Sequence, residues 1–237
     1  CIKVNNLAKT ISSTSSNYCV ISPLSSNSNS NQMTVSNTDF REIAAKKVQQ
    51  RDAKFNSKWL VPEEKLPPAT QLDVLEFIPN SGFLTEEELV ITEATPSTIL
   101  ENIASKKWRS VQVLSAFAHR ATVAHQLVNC LTEVFIEEGL KQAQELDDYQ
   151  DSTGNLKGPL HGLPISLKDN LNITGQATTI GLVSLCFDPP VLDYDSTIVD
   201  ILRKMGAASY VKTNVPVALI MPESIIHIYG HTPNSFN

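Results

Sequence analysis

The sequence predicts an α/β fold, and three observations in its second half support that prediction. Residues 160–167 form a short apolar run bounded by Gly and Pro, which is typical of a buried strand, here ending at Lys168. Asp195-Ser196 begin a helical pattern that ends at Gly206, and residues 208–211 predict a second strand. A strand, a helix and a strand in this order form a parallel crossover unit, so we expect an α/β core.

The composition excludes several classes of protein. The 237 residues are 41% hydrophobic and 19% charged, which suits a globular domain with a sizeable core. The formal net charge is -6, whereas proteins that bind nucleic acids usually carry an excess of basic residues, so we expect no nucleic-acid partner. No apolar run approaches the roughly 18 residues that span a bilayer, so we expect no membrane segment.

The cysteines fit neither a metal site nor a disulfide framework. Zinc sites need paired ligands at short spacing, and no CxxC pair occurs. We therefore expect free thiols in a reducing compartment and assign the protein to the cytoplasm. The four residues concerned are Cys1, Cys19, Cys130 and Cys186.

Residues 1–32 differ from the rest of the chain. They hold 9 Ser and 6 Asn, no acidic residue, and only Lys3 and Lys9 as charges. So few apolar residues do not offset the entropy of ordering, which predicts a disordered leader. The composition is also compatible with an organelle transit peptide, although the segment contains no Arg.

The first helix is predicted to begin at Asp39, with Glu42 as its capping-box partner. Apolar residues recur at helical spacing from Phe40 onward. The opposite face carries four basic residues, which we interpret as solvated: Lys46, Lys47, Arg51 and Lys54.

Residues 33–108 are interpreted as a helical and extended segment that wraps over the surface of something larger. Four prolines exclude a long helix over residues 60–83. Thr95–Pro96 then open a helix through about Ser105, because proline is favoured at the first helical position.

Residues 109–237 contain the predicted α/β core. A helical pattern covers about residues 110–146 and is interrupted near Asn129-Cys130-Leu131. His119 and His125 lie on this pattern. A lone histidine on a helix is more often structural than catalytic, and neither residue has a partner constellation.

Lys168 is the candidate catalytic residue. It stands at the carboxyl end of a predicted buried strand, where open α/β sheets place their ligand crevices. Loss of hydration there would favour the neutral amine, which can take a proton from a serine hydroxyl in Ser-Lys catalysis. The alternative is a structural salt bridge of Lys168 with Asp169 or Asp195.

The residues around Lys168 resemble a known motif. Residues 158–169 read Gly-Pro-Leu-His-Gly-Leu-Pro-Ile-Ser-Leu-Lys-Asp, and they closely resemble the lysine-bearing motif of the amidase signature family, in its fungal acetamidase-like branch. Further blocks resemble the same branch, so the likeness covers about residues 39–237: Lys46-Lys47 with Gln50-Arg51-Asp52, Leu84-Thr85-Glu86 with Ile91-Thr92, Ala124-His125-Gln126-Leu127, Thr178-Thr179-Ile180-Gly181, and Tyr210-Val211-Lys212-Thr213-Asn214-Val215-Pro216.

This resemblance implies a fold, an activity and a role for Lys168. The fold would be an incomplete amidase-signature-like fold, with a mixed sheet core and flanking helices, and residues 109–237 would be the N-terminal part of the amidase domain. Family members hydrolyse carboxylic amides to acid and ammonia through an acyl-enzyme, using a lysine, a serine in cis peptide geometry and a nucleophilic serine. Lys168 matches that lysine. The partner would be a small-molecule amide substrate, and no cofactor is implied. Both a monomer and a homo-oligomer are compatible with the resemblance.

Both family serines belong to a Gly/Ser-rich signature that this sequence does not contain. The signature follows a Glu-Ser…Gly-x-Thr block, here Glu223-Ser224 and Gly230-His231-Thr232, and the chain ends at Asn237. Ser166 shares a strand face with Lys168 but matches no family nucleophile. Two hypotheses follow: an amidase whose serines lie outside this chain, and an inactive truncated or pseudogene-derived product that binds a full-length relative.

The remaining motifs predict structure rather than chemistry. His161 is expected to shape the loop that leads into the strand. His227 and His231 have four-residue spacing but stand beside Gly230 and Pro233, a poor setting for a metal pair, so we expect no metal site. The glycines form no phosphate-cradling pattern.

Overall fold

The computed structural model of the protein describes residues 39–68, 70–71, 73–186 and 192–236. These residues belong to one unit that begins at Thr38. The leader predicted for residues 1–32 lies outside them. The described helices are α1 (Phe40–Asp52), α2 (Phe77–Asn80), α3 (Glu86–Glu93), α4 (Pro96–Ala104), α5 (Ser110–Val128), α6 (Ile136–Thr153) and α7 (Thr197–Lys204). The described strands are β1 (Leu131–Val134), β2 (Pro164–Lys168), β3 (Ala208–Thr213), β4 (Ile225–Ile226) and β5 (Gly230–His231).

The first three strands form a mixed sheet in the order β1–β3–β2. β2 and β3 run parallel with α7 between them in sequence, which confirms the predicted crossover. β1 pairs with β3 in the antiparallel sense, and β4 and β5 form a separate antiparallel pair. The predicted α/β fold with a mixed sheet and flanking helices is therefore confirmed.

The largest apolar cluster joins α5 and α6 to the sheet. Leu114 of α5 and Ala143 of α6 are fully buried there, together with Val134 and Ala208 from the strands. Leu167 of β2 packs instead with Val199 of α7. The sheet therefore has helices packed against it from both the middle and the end of the chain. Among the described ranges, no helix combines the length and apolar character needed to cross a membrane.

Strand β1 corrects the expectation of one long helical region with an interruption near Asn129. That residue has left-handed backbone angles, φ 43° and ψ 51°, and it ends α5 by donating its N–H to His125 O at 2.8 Å. The next residues form a strand in which all four side chains are buried. Four buried residues between two helices are too few to show a two-residue period, so periodicity could not reveal the strand.

Helix α1 begins where predicted, but part of its polar face is not solvated. Asp39 Oδ1 accepts a hydrogen bond from the Arg41 N–H at 2.9 Å, so the cap forms with Arg41 rather than through a box with Glu42. Lys47 and Arg51 are only 6% and 5% exposed. The expectation of a solvated basic face is therefore wrong for these two residues.

Both buried cations of α1 contact strand β1. Arg51 Nη1 donates to Leu131 O at 3.0 Å across a separation of 80 residues, and its guanidinium lies 5.4 Å from the centre of the Tyr229 ring. Lys47 forms an ion pair with Glu133 in the interior. Buried charges rather than apolar side chains alone therefore attach α1 to the sheet.

The segment between α1 and α3 contains no long helix in its described part, as the prolines predicted. Its regular structure is the four-residue α2 and two short 3-10 turns, Ser57–Trp59 and Glu63–Lys65. Val61 and Leu84 pack against Val123 of α5. The proposed division of the domains at residue 108 stays a prediction.

Helices α3 and α4 differ in how well the sequence predicts them. Helix α4 begins at Pro96, and Thr95 Oγ1 accepts from the Thr98 N–H at 3.2 Å, as expected. Helix α3 was not predicted as a helix. It carries a capping box between Thr85 and Glu88, and this Thr-x-x-Glu spacing is a sequence signal for a helix start.

His125 makes the stability of this fold depend on pH. Its Nδ1 accepts the Leu131 N–H at 3.1 Å, and its ring stacks on Phe55 with centroids 5.0 Å apart. Burial lowers the pKa of His125 to about 3, with a smaller lowering from the Arg51 charge and an opposing effect of Asp52. The ring is therefore neutral when folded, whereas it titrates near its ordinary value when unfolded.

We expect acid to destabilise the protein through His125. As pH falls from about 6.5 to about 3, the unfolded chain gains a proton at His125 that the folded chain excludes, so the free energy of unfolding decreases. This one group contributes a slope of up to about 1.4 kcal/mol per pH unit. Urea unfolding at several pH values measures it. His125→Gln should reduce the slope, and the matched change at the exposed residue, His227→Gln, should retain more of it. Equal slopes in both variants would contradict the assignment.

Candidate active site

Lys168 ends strand β2 on a face that the described residues leave open. Ser166 and Lys168 are both exposed, whereas Leu167 between them is buried. Because side chains alternate along a strand, Ser166 and Lys168 share one face, as predicted. We expected the Lys168 side chain to lose its hydration, but the described residues leave it exposed to solvent. Within the described ranges, no hydrogen bond joins the Lys168 side chain to Ser166.

Neither of the ion pairs considered for Lys168 forms. Asp169 pairs with Lys212, whose Nζ lies 3.0 Å from Oδ1. Asp195 pairs with Arg203 at 2.9 Å. The structural alternative of a Lys168 salt bridge with either acid is therefore wrong for the described residues, because both acids have other cationic partners.

The Asp169 carboxylate is the centre of a buried polar cluster. Asp169 and Lys212 are each 0% exposed. The second carboxylate oxygen, Oδ2, accepts the Thr179 backbone N–H at 3.2 Å and the Thr179 hydroxyl at 2.5 Å. A buried carboxylate needs both a countercharge and hydrogen-bond donors, and these two residues supply them.

Lys212 Nζ forms one ion pair and two hydrogen bonds in the interior. Besides Asp169, the ammonium donates to Ala177 O and to Thr178 Oγ1, each at 2.8 Å. Burial lowers the pKa of Lys212, and the neighbouring Asp169 opposes that shift. The side chain therefore holds the turn at residues 177–179 against the end of β2.

A second buried ion pair continues this arrangement across the sheet. Lys47 pairs with Glu133, and the Tyr229 hydroxyl donates to Glu133 Oε1 at 3.4 Å. Burial raises the pKa of Tyr229, which keeps this donor protonated. Glu133 and Lys212 are register partners on β1 and β3. The four residues Lys47, Glu133, Lys212 and Asp169, here called the buried charge row, therefore alternate in sign from α1 to the end of β2.

The histidines have local structural contacts. His119 Nδ1 lies 2.9 Å from Glu88 Oε1. His161 Nδ1 accepts the Lys157 N–H at 3.0 Å, which agrees with its expected role in the loop before β2. His227 packs edge-on against another ring, with centroids 5.6 Å apart. Within the described ranges, no three His, Cys, Asp or Glu residues group as a metal site.

Sequence reasoning missed Lys212 and Thr179 as neighbours of the Lys168 strand. Both stood in blocks noted for their resemblance to the family, but no contact was assigned to them. One signal was available for Lys212, since a lysine within an otherwise buried strand needs an internal counterion. Nothing in the sequence identified Asp169 as that counterion.

Comparisons with known proteins decide the family. The sequence profile described as "Amidase" matches residues 112–237, more than half of the chain. The chain belongs to the amidase family. An amidase of Gibberella moniliformis is 38% identical over 202 residues, which cover 84% of this chain and 38% of that protein. The acetamidase of Emericella nidulans is 40% identical over 200 residues, which cover 84% of this chain and 35% of that protein.

Solved amidases share the fold. A fatty acid amide hydrolase matches with a TM-score of 0.77 and 36% identity, over 83% of this chain and 35% of that one. A peptide amidase from Stenotrophomonas maltophilia matches with a TM-score of 0.53 and 26% identity, over 59% of this chain and 29% of that one. This amidase chain thus spans less than two fifths of the length of these relatives. Lys168, Asp169 and Lys212 all lie inside the range that the family profile matches.

Proposed function

We propose that the protein is an amide hydrolase that converts a carboxylic amide to an acid and ammonia, with Lys168 as the general base. The observation that carries the proposal is a lysine at the open carboxyl end of β2 in a chain of the amidase family. One relative is named acetamidase, so acetamide is the first substrate to test.

In the proposed reaction a serine oxygen attacks the amide carbonyl carbon, and its proton passes through a second serine to the amine of Lys168. The C–N bond then breaks, and Lys168 returns the proton to the leaving nitrogen, which departs as ammonia. Water hydrolyses the resulting ester and releases the acid. The proposal assigns both serines to polypeptide outside Cys1–Asn237, because the Gly/Ser-rich signature is not in this sequence.

The open face of β2 supports this arrangement. Ser166 and Lys168 are exposed there, so a serine-bearing segment could approach the lysine without displacing a described side chain. The face opposite is filled by Leu167 and its apolar neighbours. Only one side of the strand is therefore free for the chemistry.

Replacing Lys168 by Ala is expected to lower kcat for acetamide by about 10²–10⁴-fold, the usual contribution of general-base catalysis. Ammonia release is measured with the protein expressed from its own gene in its native host. Lys204→Ala is the matched control, because Lys204 is an exposed lysine with a side chain 74% accessible, and its kcat should not change. An active enzyme with an unchanged kcat in Lys168→Ala would overturn the proposal.

The second hypothesis is an inactive product that binds a full-length relative, and it predicts a different result for the same measurement. The same preparation tests it. A purified species of 26.0 kDa that does not hydrolyse amides and co-purifies with an active amidase would support this hypothesis over the first. Amide hydrolysis that purifies with the protein and depends on its own Lys168 would exclude it.

A further inference from the structure

The buried charge row ends beside Lys168. Asp169 is the next residue in the chain, and it is fully buried, whereas the Lys168 side chain points from the same strand end into the open face. Burial of two ion pairs carries a large desolvation cost, and apolar residues of similar volume often serve stability as well or better. A gain in stability therefore does not explain why the buried charge row is present.

The Asp169–Lys212 pair fixes more than two side chains. Lys212 bonds Ala177 O and Thr178 Oγ1, and Asp169 accepts both the N–H and the hydroxyl of Thr179. Three consecutive residues of one turn are thus bound to a single ion pair. These contacts join the turn and the end of β2 into one hydrogen-bonded unit in the interior.

Lys168 takes its position from that unit. Its own side chain has no hydrogen bond or ion pair within the described ranges, so only its backbone and its neighbours orient it. The Asp169 N–H donates to Thr213 O at 3.0 Å, and the Leu171 N–H donates to Lys168 O at 3.0 Å. With the Asp169 side chain held as well, the direction of the Lys168 Cα–Cβ bond is set by the cluster beneath it.

We propose that Thr179, Asp169 and Lys212 are positioning residues for Lys168, which fix the end of β2 so that its amine meets the serine hydroxyl. The inference rests on the proposed function. Thr179 is the position where it can be tested with least disturbance, because valine has the shape of threonine but cannot donate to the carboxylate.

Thr179→Val is expected to lower kcat for acetamide by about 10- to 100-fold, because a displacement of a reacting group of the order of 1 Å costs that much. KM should change by less than about twofold, since the turn is not assigned to substrate binding. Thr179→Ser restores the hydroxyl and should recover most of kcat.

Thr132→Val is the matched control. Thr132 is also 0% exposed and lies on β1 of the same sheet, but its hydroxyl has no hydrogen-bond partner among the described residues. The substitution makes the same change from hydroxyl to methyl at another fully buried threonine, and it leaves the Asp169 cluster unchanged. Its kcat should equal that of the unchanged protein, and urea unfolding of every variant shows whether any loss of kcat follows from loss of folding.

The outcomes separate this inference from the proposed function. If Lys168→Ala abolishes turnover while Thr179→Val and Thr132→Val keep the same kcat, the positioning role is overturned and the proposed function stands. A loss of kcat in Thr179→Val that Thr179→Ser does not recover also overturns it. If Lys168→Ala leaves turnover unchanged, or the unchanged protein has none, the proposed function fails and the positioning role fails with it.

Discussion

Lys212→Met is expected to lower the free energy of unfolding by about 3–5 kcal/mol, because it leaves the Asp169 carboxylate buried without a countercharge. Both partners are 0% exposed and lie 3.0 Å apart, so solvent cannot replace the lost ammonium. The substitution also removes the donor to Ala177 O and Thr178 Oγ1. Urea unfolding at neutral pH measures the change.

A second substitution shows whether the unpaired charge is the cause. In Lys212→Met/Asp169→Asn the remaining side chain is neutral and still offers an oxygen to Thr179, so most of the loss should be recovered. Lys204→Met removes a lysine from the exposed pair with Asp200 and should cost less than about 1 kcal/mol. If the double variant is no more stable than Lys212→Met, the buried charge is not what destabilises the single variant.

Gly162→Ala is expected to lower the free energy of unfolding by about 2–5 kcal/mol, from a strained backbone and an overlap together. Gly162 has φ +76°, and a Cβ there would lie 2.3 Å from Ser110 Oγ and 2.8 Å from Ser110 Cβ. Ser110 is the first residue of α5 and fully buried, so it has little room to move. Gly162 also donates its N–H to Gly206 O at 2.9 Å, which joins the segment before β2 to the end of α7.

Gly154→Ala separates the two contributions to that loss. Gly154 has nearly the same backbone angle, φ +70°, but a Cβ there would meet no atom within 4 Å. Its substitution should cost only the backbone term of about 1–2 kcal/mol. Equal losses at the two glycines, measured in parallel by urea unfolding, would mean that the overlap with Ser110 is relieved without cost.

The crossover unit was predictable because each part carries a local signal. The apolar run before Lys168 is bounded by Gly and Pro, and Gly206 ends the intervening helix with φ +90°. Strand β1 had no such signal, because its four residues are buried throughout. Local chemistry therefore placed β2, α7 and β3 but not the strand that pairs with β3 on its other side.

The candidate site was predictable only where the residues that form it are close in sequence. Lys168 was found from its own motif and its place at a strand end. The partnership of Asp169 with Lys212 depends on the β2–β3 register and on the turn at Thr179, which bring distant parts of the chain together. The interior position of Lys47 could not be read from α1, because a basic residue on a polar helix face is usually solvated.

The attachment of α1 to β1 has a consequence for the order in which the chain folds. Arg51 bonds a carbonyl 80 residues away, so α1 has no interior partner for its cations until that later segment is in place. Closing so long a loop is entropically unfavourable, which delays the contact relative to the local pairing of α5 and α6. We therefore expect α1 to join the sheet after α5 and α6 have paired, and pulsed hydrogen exchange during refolding would show its amides protected later than theirs.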